Sequence, residues 1–244
     1  MTSLPVVEII GPTVQGEGPR VGRRVALIRL GGCNLTCESC DTRYSWDGSE
    51  PTVQAGNQAI MEQLADVAGK HPLYQVVITG GEPLIHQNRN AFRELVIGIL
   101  ARGMSVEIET NGTIVPAPWF QPRLVAGGLD VVAVSFCVSP KIVGGLATDP
   151  EPKRIKGNAL RWFAACDCAT FKIVCRTVDD VTRIGTWADI NHINRHQIWI
   201  MPEGATWNDH ITRARALVDR ILTEGMHISS RLHLGLWPTT MRGR

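Results

Sequence analysis

Short apolar, β-branched runs alternate along the chain with longer segments in which apolar residues recur at helical spacing. The runs predict seven strands, over residues 24–30, 75–79, 104–109, 129–134, 170–174, 197–201 and near 228–236. The longer segments predict five helices, over residues 53–68, 89–101, 157–165, 178–191 and 207–223. This alternation is typical of βαβ units and a parallel sheet. Because about six units are too few for a closed eight-stranded barrel, we predict an α/β fold, an open partial (β/α) barrel of about six parallel strands.

The segments between these elements suggest no second unit. A short strand is expected over residues 6–10, and residues 111–129, with three prolines and several glycines, predict a loop. No internal repeat, linker or low-complexity stretch interrupts the pattern, so we expect one domain over residues 1–244.

Polar and glycine-rich motifs follow five of the predicted strands. They lie at residues 33–40, 80–83, 109–112, 135–141 and 201–204. In a parallel α/β layout the carboxyl ends of the strands meet at one edge, where the chemistry of such folds is found. The motifs therefore predict one shared site.

Composition excludes several classes of protein. Hydrophobic residues make up 44% of the chain and charged residues 20%, as in ordinary globular domains. The formal charge of +2, from 25 basic and 23 acidic residues, suggests no nucleic-acid partner, although a local basic patch stays open. We see no signal peptide and no apolar run of about 18 residues, so we expect no membrane span and a cytoplasmic location.

Three of the seven cysteines, Cys33, Cys37 and Cys40, fall in one segment with the spacing C-x3-C-x2-C. Thiolates favour zinc or iron–sulfur centres, but closed zinc sites and ordinary [4Fe–4S] clusters take four protein ligands. Three ligands would leave one iron open, which S-adenosylmethionine (SAM) can chelate before one electron from the cluster cleaves it to a 5′-deoxyadenosyl radical. Three buried cysteines, or a zinc site completed by a distant residue, remain open alternatives.

The other cysteines suggest no second metal centre. Cys166 and Cys168 form a C-x-C pair, and Cys175 ends a predicted strand. Four ligands cannot be assembled from them, and free cysteine is among the most buried residue types. We therefore expect them to be small buried hydrophobic residues.

The N-terminal motif T-V-Q-G-E-G at residues 13–18, followed by Gly22, Arg29 and the triplet Cys40-Asp41-Thr42, gives the cysteine segment a more specific context. With these motifs the sequence resembles the radical SAM superfamily and, within it, the 7-carboxy-7-deazaguanine synthase family, over nearly the whole chain. The resemblance implies conversion of 6-carboxy-5,6,7,8-tetrahydropterin to 7-carboxy-7-deazaguanine with loss of ammonia. It also implies three cofactors: a [4Fe–4S] cluster held in a cluster loop at residues 31–48, SAM and Mg²⁺.

The resemblance further implies roles for individual residues. Those expected to contact SAM are Gly80, Gly81, Glu82, Glu109, Asn111, Ser135, Lys141 and Glu203. Those expected to contact the pterin are Gln15, Gly16, Glu17, Arg29 and His233. Thr42, helped by Asp41, is expected to contact Mg²⁺. A flavodoxin-like electron donor and a homodimer are the partners that the resemblance implies.

Blander interpretations stand beside these roles. Asp41 and Thr42 would also suit the cap of a turn, and Arg29 would suit a structural ion pair. For the whole chain, a glycyl-radical activase-like protein would share the cluster and G-G-E motifs. A non-catalytic zinc or iron–sulfur module would need the cysteines alone.

Overall fold

A nine-stranded, mostly parallel sheet is the framework of the chain. The computed structural model describes residues 2–120, 123–126, 129–143 and 148–237. The strands of the main sheet are β1 (Ser3–Val14), β2 (Arg24–Leu30), β3 (Val53–Gly56), β4 (Gln75–Gly80), β5 (Ser105–Thr110), β8 (Val134–Val138), β9 (Ala169–Cys175), β10 (Ile198–Pro202) and β11 (His227–Ile228). Their order is β11-β10-β9-β8-β5-β4-β2-β1-β3, and β6 (Arg123–Ala126) pairs separately with β7 (Leu129–Val132).

The pairing confirms the predicted fold class. From β2 to β11 every neighbouring pair of strands is parallel, and only β1 and β3 run antiparallel to their neighbours. The two edge strands, β3 and β11, do not pair with each other. The sheet is therefore open, as expected for a partial barrel.

Helices connect the parallel strands. They are α1 (Asn57–Ala68), α2 (Asn90–Leu100), α3 (Glu151–Arg154), α4 (Gly157–Ala164), α5 (Val178–Ile190), α6 (Trp207–Thr223) and α7 (Leu232–Leu236). The two helices with the clearest start signals, α5 and α6, begin at capping boxes formed by Thr177 with Asp180 and by Thr206 with Asp209. Four of the five predicted helices lie within one residue of their predicted bounds.

Four predictions need correction. Residues 53–56 form strand β3 on the edge of β1 rather than the first turn of a helix, because Gly56 ends an extended segment whose backbone pairs with β1. Residues 129–134 belong to two strands, and only β8 joins the main sheet. The predicted loop at 111–129 contains β6. At the C-terminal end, β11 stops at Ile228 and residues 232–236 are helical, because the chain leaves the sheet there and passes over the cavity described below.

The residues of the parallel strands alternate between two faces. Ile28, Ile78, Ile108 and Ile173 belong to the hydrophobic core beneath the helices. The residues that follow them in β2, β4, β5 and β9 point to the opposite face; these are Arg29, Thr79, Glu109 and Val174. One face of the sheet is thus apolar, and the other carries polar side chains into the barrel.

Two hydrogen bonds join the segment that follows β1 to the segment that follows β11. The Gly18 N–H donates to Ser229 Oγ at 2.7 Å, and the Leu232 N–H donates to Gly16 O at 2.9 Å. The last described residues are therefore held against the motif that follows β1. Within the part of the chain that is described, no helix combines the length and apolar character needed to cross a membrane.

Cys166 and Cys168 form a disulfide, which corrects the prediction that both are unpaired. The chain turns between α4 and β9, and this turn brings their Cα atoms to 5.2 Å, within bridging range. Cys175 is free and buried, as predicted, and Cys137 is also free and buried.

Candidate active site

A cavity of about 590 Å³ opens at the carboxyl ends of the parallel strands. It is lined by the segment after β1, the cluster loop, the ends of the strands from β2 to β10 and the C-terminal residues Arg231 and His233. Of the predicted site residues, those lining it are Gln15, Gly16, Glu17, Arg29, Cys33, Cys37, Cys40, Asp41, Thr42, Gly80, Gly81, Glu109, Asn111, Lys141, Glu203 and His233. Glu82 and Ser135 are absent from this lining.

The three cysteines of the cluster loop are free and lie on one wall of the cavity. The backbone between Cys33 and Cys37 is held by the segment that contains Asp149. The Asp149 carboxylate accepts from the Thr36 N–H at 2.6 Å and from the Thr36 hydroxyl at 3.1 Å. The backbone N–H of Leu35 donates to Cys33 Sγ at 3.4 Å. The loop thus presents its thiols to the cavity in a fixed arrangement.

These thiols suit an iron–sulfur cluster better than a zinc ion. Among the described residues no three His, Cys, Asp or Glu side chains are grouped so that they could hold one ion. A zinc ion needs its thiolates about 2.3 Å from one point, whereas each cysteine of a cluster binds a different iron. Burial raises the pKa of Cys33 to about 11 and also raises the pKa of Cys37, so their thiolates need the positive charge of bound metal.

The two glycines of the G-G-E motif allow β4 to end against β2. Gly80 has a φ of +138°, and a Cβ there would lie 2.0 Å from Leu30 O. A Cβ on Gly81 would lie 2.0 Å from Gly32 O. Only glycine fits at either position, so the backbone itself forms this wall of the cavity.

Glu82 organises the wall from behind. Its buried carboxylate accepts from the Leu84 N–H at 3.0 Å, the Thr110 hydroxyl at 2.8 Å and the Asn111 N–H at 2.6 Å. Burial, only partly offset by these donors, raises the pKa of Glu82 to about 7. Glu82 therefore does not line the cavity, where the predicted contact with SAM would be. Its hydrogen bonds instead fix the end of β5 and the start of the segment after it.

The segment after β5 joins the strand ends to the cluster loop. Glu109 accepts from the Thr79 hydroxyl at 2.8 Å, and its other oxygen lies 3.4 Å from Lys172 Nζ. Asn111 Nδ2 donates to Asn34 Oδ1 at 2.8 Å. Glu109 at the end of β5 and Asn111 after it, both predicted to bind SAM, line the cavity.

The remaining residues predicted to bind SAM separate into two groups. Ser135 is buried within β8, where its hydroxyl lies 3.4 Å from Val106 O, so the structure does not bring it to the cavity. Lys141 does line the cavity, with Nζ 2.9 Å from the hydroxyl of Ser139. Glu203 also lines it and forms ion pairs with Arg176 at 2.8 Å and with Arg213 at 2.7 Å.

The residues predicted to bind the pterin come together at one end of the cavity. Gln15 donates to Glu107 Oε1 at 3.0 Å and accepts from the Glu17 N–H at 3.3 Å. A Cβ on Gly16 would lie 2.2 Å from His233 Nδ1, so glycine allows the tail to pack there. Burial lowers the pKa of His233, which favours the neutral imidazole.

Arg29 lines the cavity and is held by the sheet. Its Nε lies 2.6 Å from Glu8 Oε1 across the antiparallel pair of β1 and β2, and the Tyr44 hydroxyl donates to the same oxygen at 2.7 Å. Burial alone would lower the pKa of Arg29, but Tyr44 and Glu8 raise it, so the guanidinium stays charged. The structural ion pair expected as an alternative is present, on a residue that also faces the cavity.

Glu17 is held between two cations that the sequence interpretation missed. Lys172 Nζ lies 2.6 Å from Glu17 Oε2, and Arg231 Nε lies 3.1 Å from Glu17 Oε1. Burial would raise the pKa of Glu17, but Lys172 and Arg231 outweigh it and hold this pKa well below its usual range. Glu17 is therefore an anion that can only accept hydrogen bonds.

Arg231 also reaches Asp41. Its Nη2 lies 2.9 Å from Asp41 Oδ2, and its Nη1 donates to Gly204 O at 2.6 Å. The Thr42 hydroxyl lies 3.7 Å from Cys40 Sγ and lines the cavity. Asp41 therefore has a protein cation as its partner, while Thr42 faces the cavity beside the cluster loop.

Three further residues were not predicted from the sequence: Glu107, which accepts a hydrogen bond from Gln15, and Lys172 and Arg231, which line the cavity. For the first two a signal was available, because a charged residue within an otherwise apolar strand, as in S-V-E-I-E-T and A-T-F-K-I-V-C, falls on the inner face at period two. Arg231 carried no such signal, since the strand predicted near residues 228–236 ends at Ile228, before Arg231.

Curated relatives match nearly the whole chain. A 7-carboxy-7-deazaguanine synthase from Pyrobaculum aerophilum is 31% identical over 97% of this chain and 97% of its own length. The chain belongs to the 7-carboxy-7-deazaguanine synthase family. A synthase of the same name from Hyperthermus butylicus is 32% identical over 96% of this chain and 92% of its own length. Residues 14–117 match the family described as a 4Fe-4S single cluster domain.

Solved structures agree on the fold. QueE from Escherichia coli superposes with a TM-score of 0.67 at 21% identity, and the match covers 94% of each chain. SuiB from Streptococcus suis, in a structure bound to S-adenosylmethionine, gives a TM-score of 0.51 at 15% identity over 81% of this chain and 47% of its own. The curated relatives confirm the predicted membership of this family of radical SAM enzymes, and the solved structures confirm the predicted fold.

Proposed function

We propose that this chain is a radical SAM enzyme that converts 6-carboxy-5,6,7,8-tetrahydropterin to 7-carboxy-7-deazaguanine with loss of ammonia. The observation that carries this proposal is the position of two motifs. Residues 14–17 of the T-V-Q-G-E-G segment and the Cys40-Asp41-Thr42 triplet line the same cavity as the three free cysteines. Full-length membership of the synthase family supports the same reaction.

In this proposal Cys33, Cys37 and Cys40 hold the [4Fe–4S] cluster. When bound, the cluster supplies the electron that cleaves SAM reductively. The backbone wall at Gly80 and Gly81 leaves room for SAM beside the cluster loop. Of the residues that the resemblance implies for SAM binding, the side chains proposed to contact it are those that line the cavity: Glu109, Asn111, Lys141 and Glu203. Glu82 acts indirectly, by fixing the Thr110–Asn111 backbone.

The proposed pterin subsite lies between Glu17, Gln15 and Arg29. The pterin edge offers neighbouring N–H donors, and the ionised Glu17 carboxylate can accept from two of them. Arg29 offers a cation for the substrate carboxylate, because Glu8 occupies only some of the N–H donors of its guanidinium. Gly16 and His233 close this end of the cavity against the tail.

Magnesium binding at Thr42 is also part of the proposal. A hydroxyl at the cavity wall suits Mg²⁺, which prefers oxygen ligands and keeps sites for substrate and water. Asp41 would assist only if its carboxylate exchanged its contact with Arg231 for a contact with the ion. We therefore propose Thr42 as the side chain that contacts the ion and Asp41 as its helper.

Several wider expectations belong to the same proposal. We propose a single radical SAM domain over residues 1–244 that acts as a homodimer in the cytoplasm. A flavodoxin-like protein would supply the electrons. Size-exclusion chromatography with light scattering tests the dimer, and reduction of the cluster by purified flavodoxin tests the donor.

Anaerobic turnover tests the proposed reaction. The iron–sulfide-reconstituted protein is supplied with SAM, a strong reductant, Mg²⁺ and 6-carboxytetrahydropterin, and products are identified by mass spectrometry. We expect 7-carboxy-7-deazaguanine, with no product from Cys33→Ala. Glu17→Gln should bind as much iron as wild type and turn over the pterin far more slowly.

Other outcomes would point elsewhere. Formation of 5′-deoxyadenosine without the deazaguanine would keep the SAM chemistry and reject the pterin as substrate, as for an activase-like protein. One zinc per chain in place of iron and sulfide would reject radical chemistry altogether.

A further inference from the structure

Trp46 is held in a fixed position near the end of the cluster loop. A 3-10 turn, Arg43–Ser45, precedes it, and the Trp46 N–H donates to Arg43 O at 3.0 Å. The turn is joined to the end of β2, because the Gly32 N–H donates to Ser45 O at 2.8 Å. The backbone that carries the indole is therefore tied to the sheet.

The indole of Trp46 donates a hydrogen bond to a cysteine that we assign to the cluster. Its Nε1 lies 3.4 Å from Cys40 Sγ, within the range of hydrogen bonds to sulfur. The direction of this bond is fixed, because the indole N–H can only donate. Cys40 Sγ is therefore the acceptor.

Arg43 adds positive charge to the same indole. Its guanidinium carbon lies 5.6 Å from the centre of the Trp46 ring, a cation–π distance. Asp47 lies 3.7 Å from Arg43 Nε and restrains the guanidinium. Contact with a cation makes the indole N–H a stronger donor toward the sulfur.

From these contacts we infer that Trp46 tunes the reduction potential of the cluster by donating its indole N–H to Cys40 Sγ. Reduction adds one negative charge to the cluster and its thiolates, so a donor at a ligating sulfur favours the reduced form. Trp46 acts through Cys40 and is a positioning residue. The inference rests on the proposed cluster loop and is independent of the identity of the substrate.

The midpoint potential of the cluster tests this inference. Trp46→Phe removes the N–H and keeps an aromatic ring. Trp199→Phe is the matched control, because Trp199 lies in β10 with its ring centre 4.7 Å from that of His227 in β11. Both variants are reconstituted anaerobically without SAM and titrated with dithionite while the reduced cluster is followed by EPR. We expect the reduced form of Trp46→Phe to be about tenfold less favoured, which corresponds to a midpoint about 59 mV more negative for one electron. Trp199→Phe should match wild type.

An unchanged midpoint in Trp46→Phe, at wild-type iron and sulfide content, would overturn the inference. If Trp46→Phe does not take up a cluster, pulsed EPR decides the question in the wild-type chain carrying ¹⁵N-indole tryptophan. A ¹⁵N coupling to the reduced cluster supports the inference, and its absence rejects it. If wild type itself takes up no cluster, the proposed function fails as well, so the two failures are distinguishable.

Discussion

At the scale of single residues, the inner face of the sheet is defined by charges that neutralise one another. Lys172 lies between Glu17 and Glu109, and Arg20 pairs with the buried Glu107. Burial would lower the pKa of Lys172, but the two carboxylates raise it well above its usual value. Charges removed from water are tolerated only in such pairs, so each of these side chains depends on its partners.

Lys172→Met should destabilise the protein by about 3–5 kcal/mol at pH 7.5, because it leaves two carboxylates facing each other in a buried site. The Glu17 pKa is depressed in the folded state, so the stabilisation from its ion pairs is present above the pKa of the unfolded chain and is lost as pH falls. The deficit of the variant should therefore shrink when the pH is lowered below about 4.5. Urea unfolding at several pH values measures this difference.

Lys70→Met is the matched control for Lys172→Met, because Lys70 is exposed after the end of α1. Its free energy of unfolding should lie within about 0.5 kcal/mol of wild type at every pH. A Lys172→Met deficit that stayed constant with pH would contradict the proposed ionised state of Glu17.

At the scale of elements, the site depends on where strands end. The carboxyl end of β4 approaches β2 so closely that Gly80 and Gly81 leave no space for a Cβ. On the far side of the cluster loop, Asp149 binds the Thr36 backbone and side chain. The cluster loop is therefore fixed from both sides by segments distant from it in sequence.

Gly80→Ala should prevent folding or cost several kcal/mol, because its Cβ would overlap Leu30 O and its φ is in the region that favours glycine. Gly103→Ala is the control that separates steric overlap from the cost of a positive φ. Gly103 also has a positive φ, of +76°, but nothing lies within 4 Å of its Cβ position, so Gly103→Ala should cost only about 1 kcal/mol. Thermal unfolding of both variants measures the difference. Equal losses would contradict the steric explanation.

Asp149→Ala should loosen the cluster loop without unfolding the protein. Removing the acceptor of the two hydrogen bonds from Thr36 should speed loss of the cluster to an iron chelator by at least about tenfold, because even one hydrogen bond to a charged group contributes about 1.5–3 kcal/mol. The absorbance of the cluster follows this loss. Glu151→Ala is the control, since Glu151 is exposed in α3, and it should lose its cluster at the wild-type rate. Equal rates in Asp149→Ala and wild type would show that Asp149 does not restrain the loop.

At the scale of the whole molecule, Arg231 links the last part of the chain to the first. It contacts Glu17, Asp41 and Gly204, three segments that lie far apart in sequence. His210 fixes its backbone, because His210 Nδ1 donates to Pro202 O at 2.8 Å and Nε2 accepts from the Arg231 N–H at 3.3 Å. Burial lowers the pKa of His210, consistent with this neutral tautomer.

Arg231→Met should therefore weaken substrate binding rather than cluster assembly. Iron content should match wild type, while the affinity for 6-carboxypterin, an oxidised analogue measured by calorimetry, should fall by roughly tenfold or more with the loss of one buried ion pair. Arg220→Met is the control, because Arg220 forms a more exposed pair with Glu224 at the C-terminal end of α6. Unchanged affinity in Arg231→Met would place the pterin away from Glu17.

Much of this protein follows from local sequence. The alternation of apolar runs predicted the parallel strands and four helices, because periodicity depends only on neighbours along the chain. The C-x3-C-x2-C spacing and the G-G-E and E-T-N-G motifs predicted a shared site at one edge of the sheet, because each motif was expected to follow a strand. Helix α6 lies where it was predicted because its capping box and amphipathic pattern agree.

Other features required the tertiary structure. Lys172 and Glu17 are 155 residues apart, and only the folding of β9 beside the segment after β1 makes them an ion pair. The position of Glu82 behind the cavity wall, the strand at Val53–Gly56 and the disulfide between Cys166 and Cys168 likewise depend on what packs against each residue. Sequence alone thus determined most of the parallel strands, the motifs at their carboxyl ends and the family of this chain. The tertiary structure decided which charges meet in the cavity, because burial and pairing are properties of side chains brought together from distant segments.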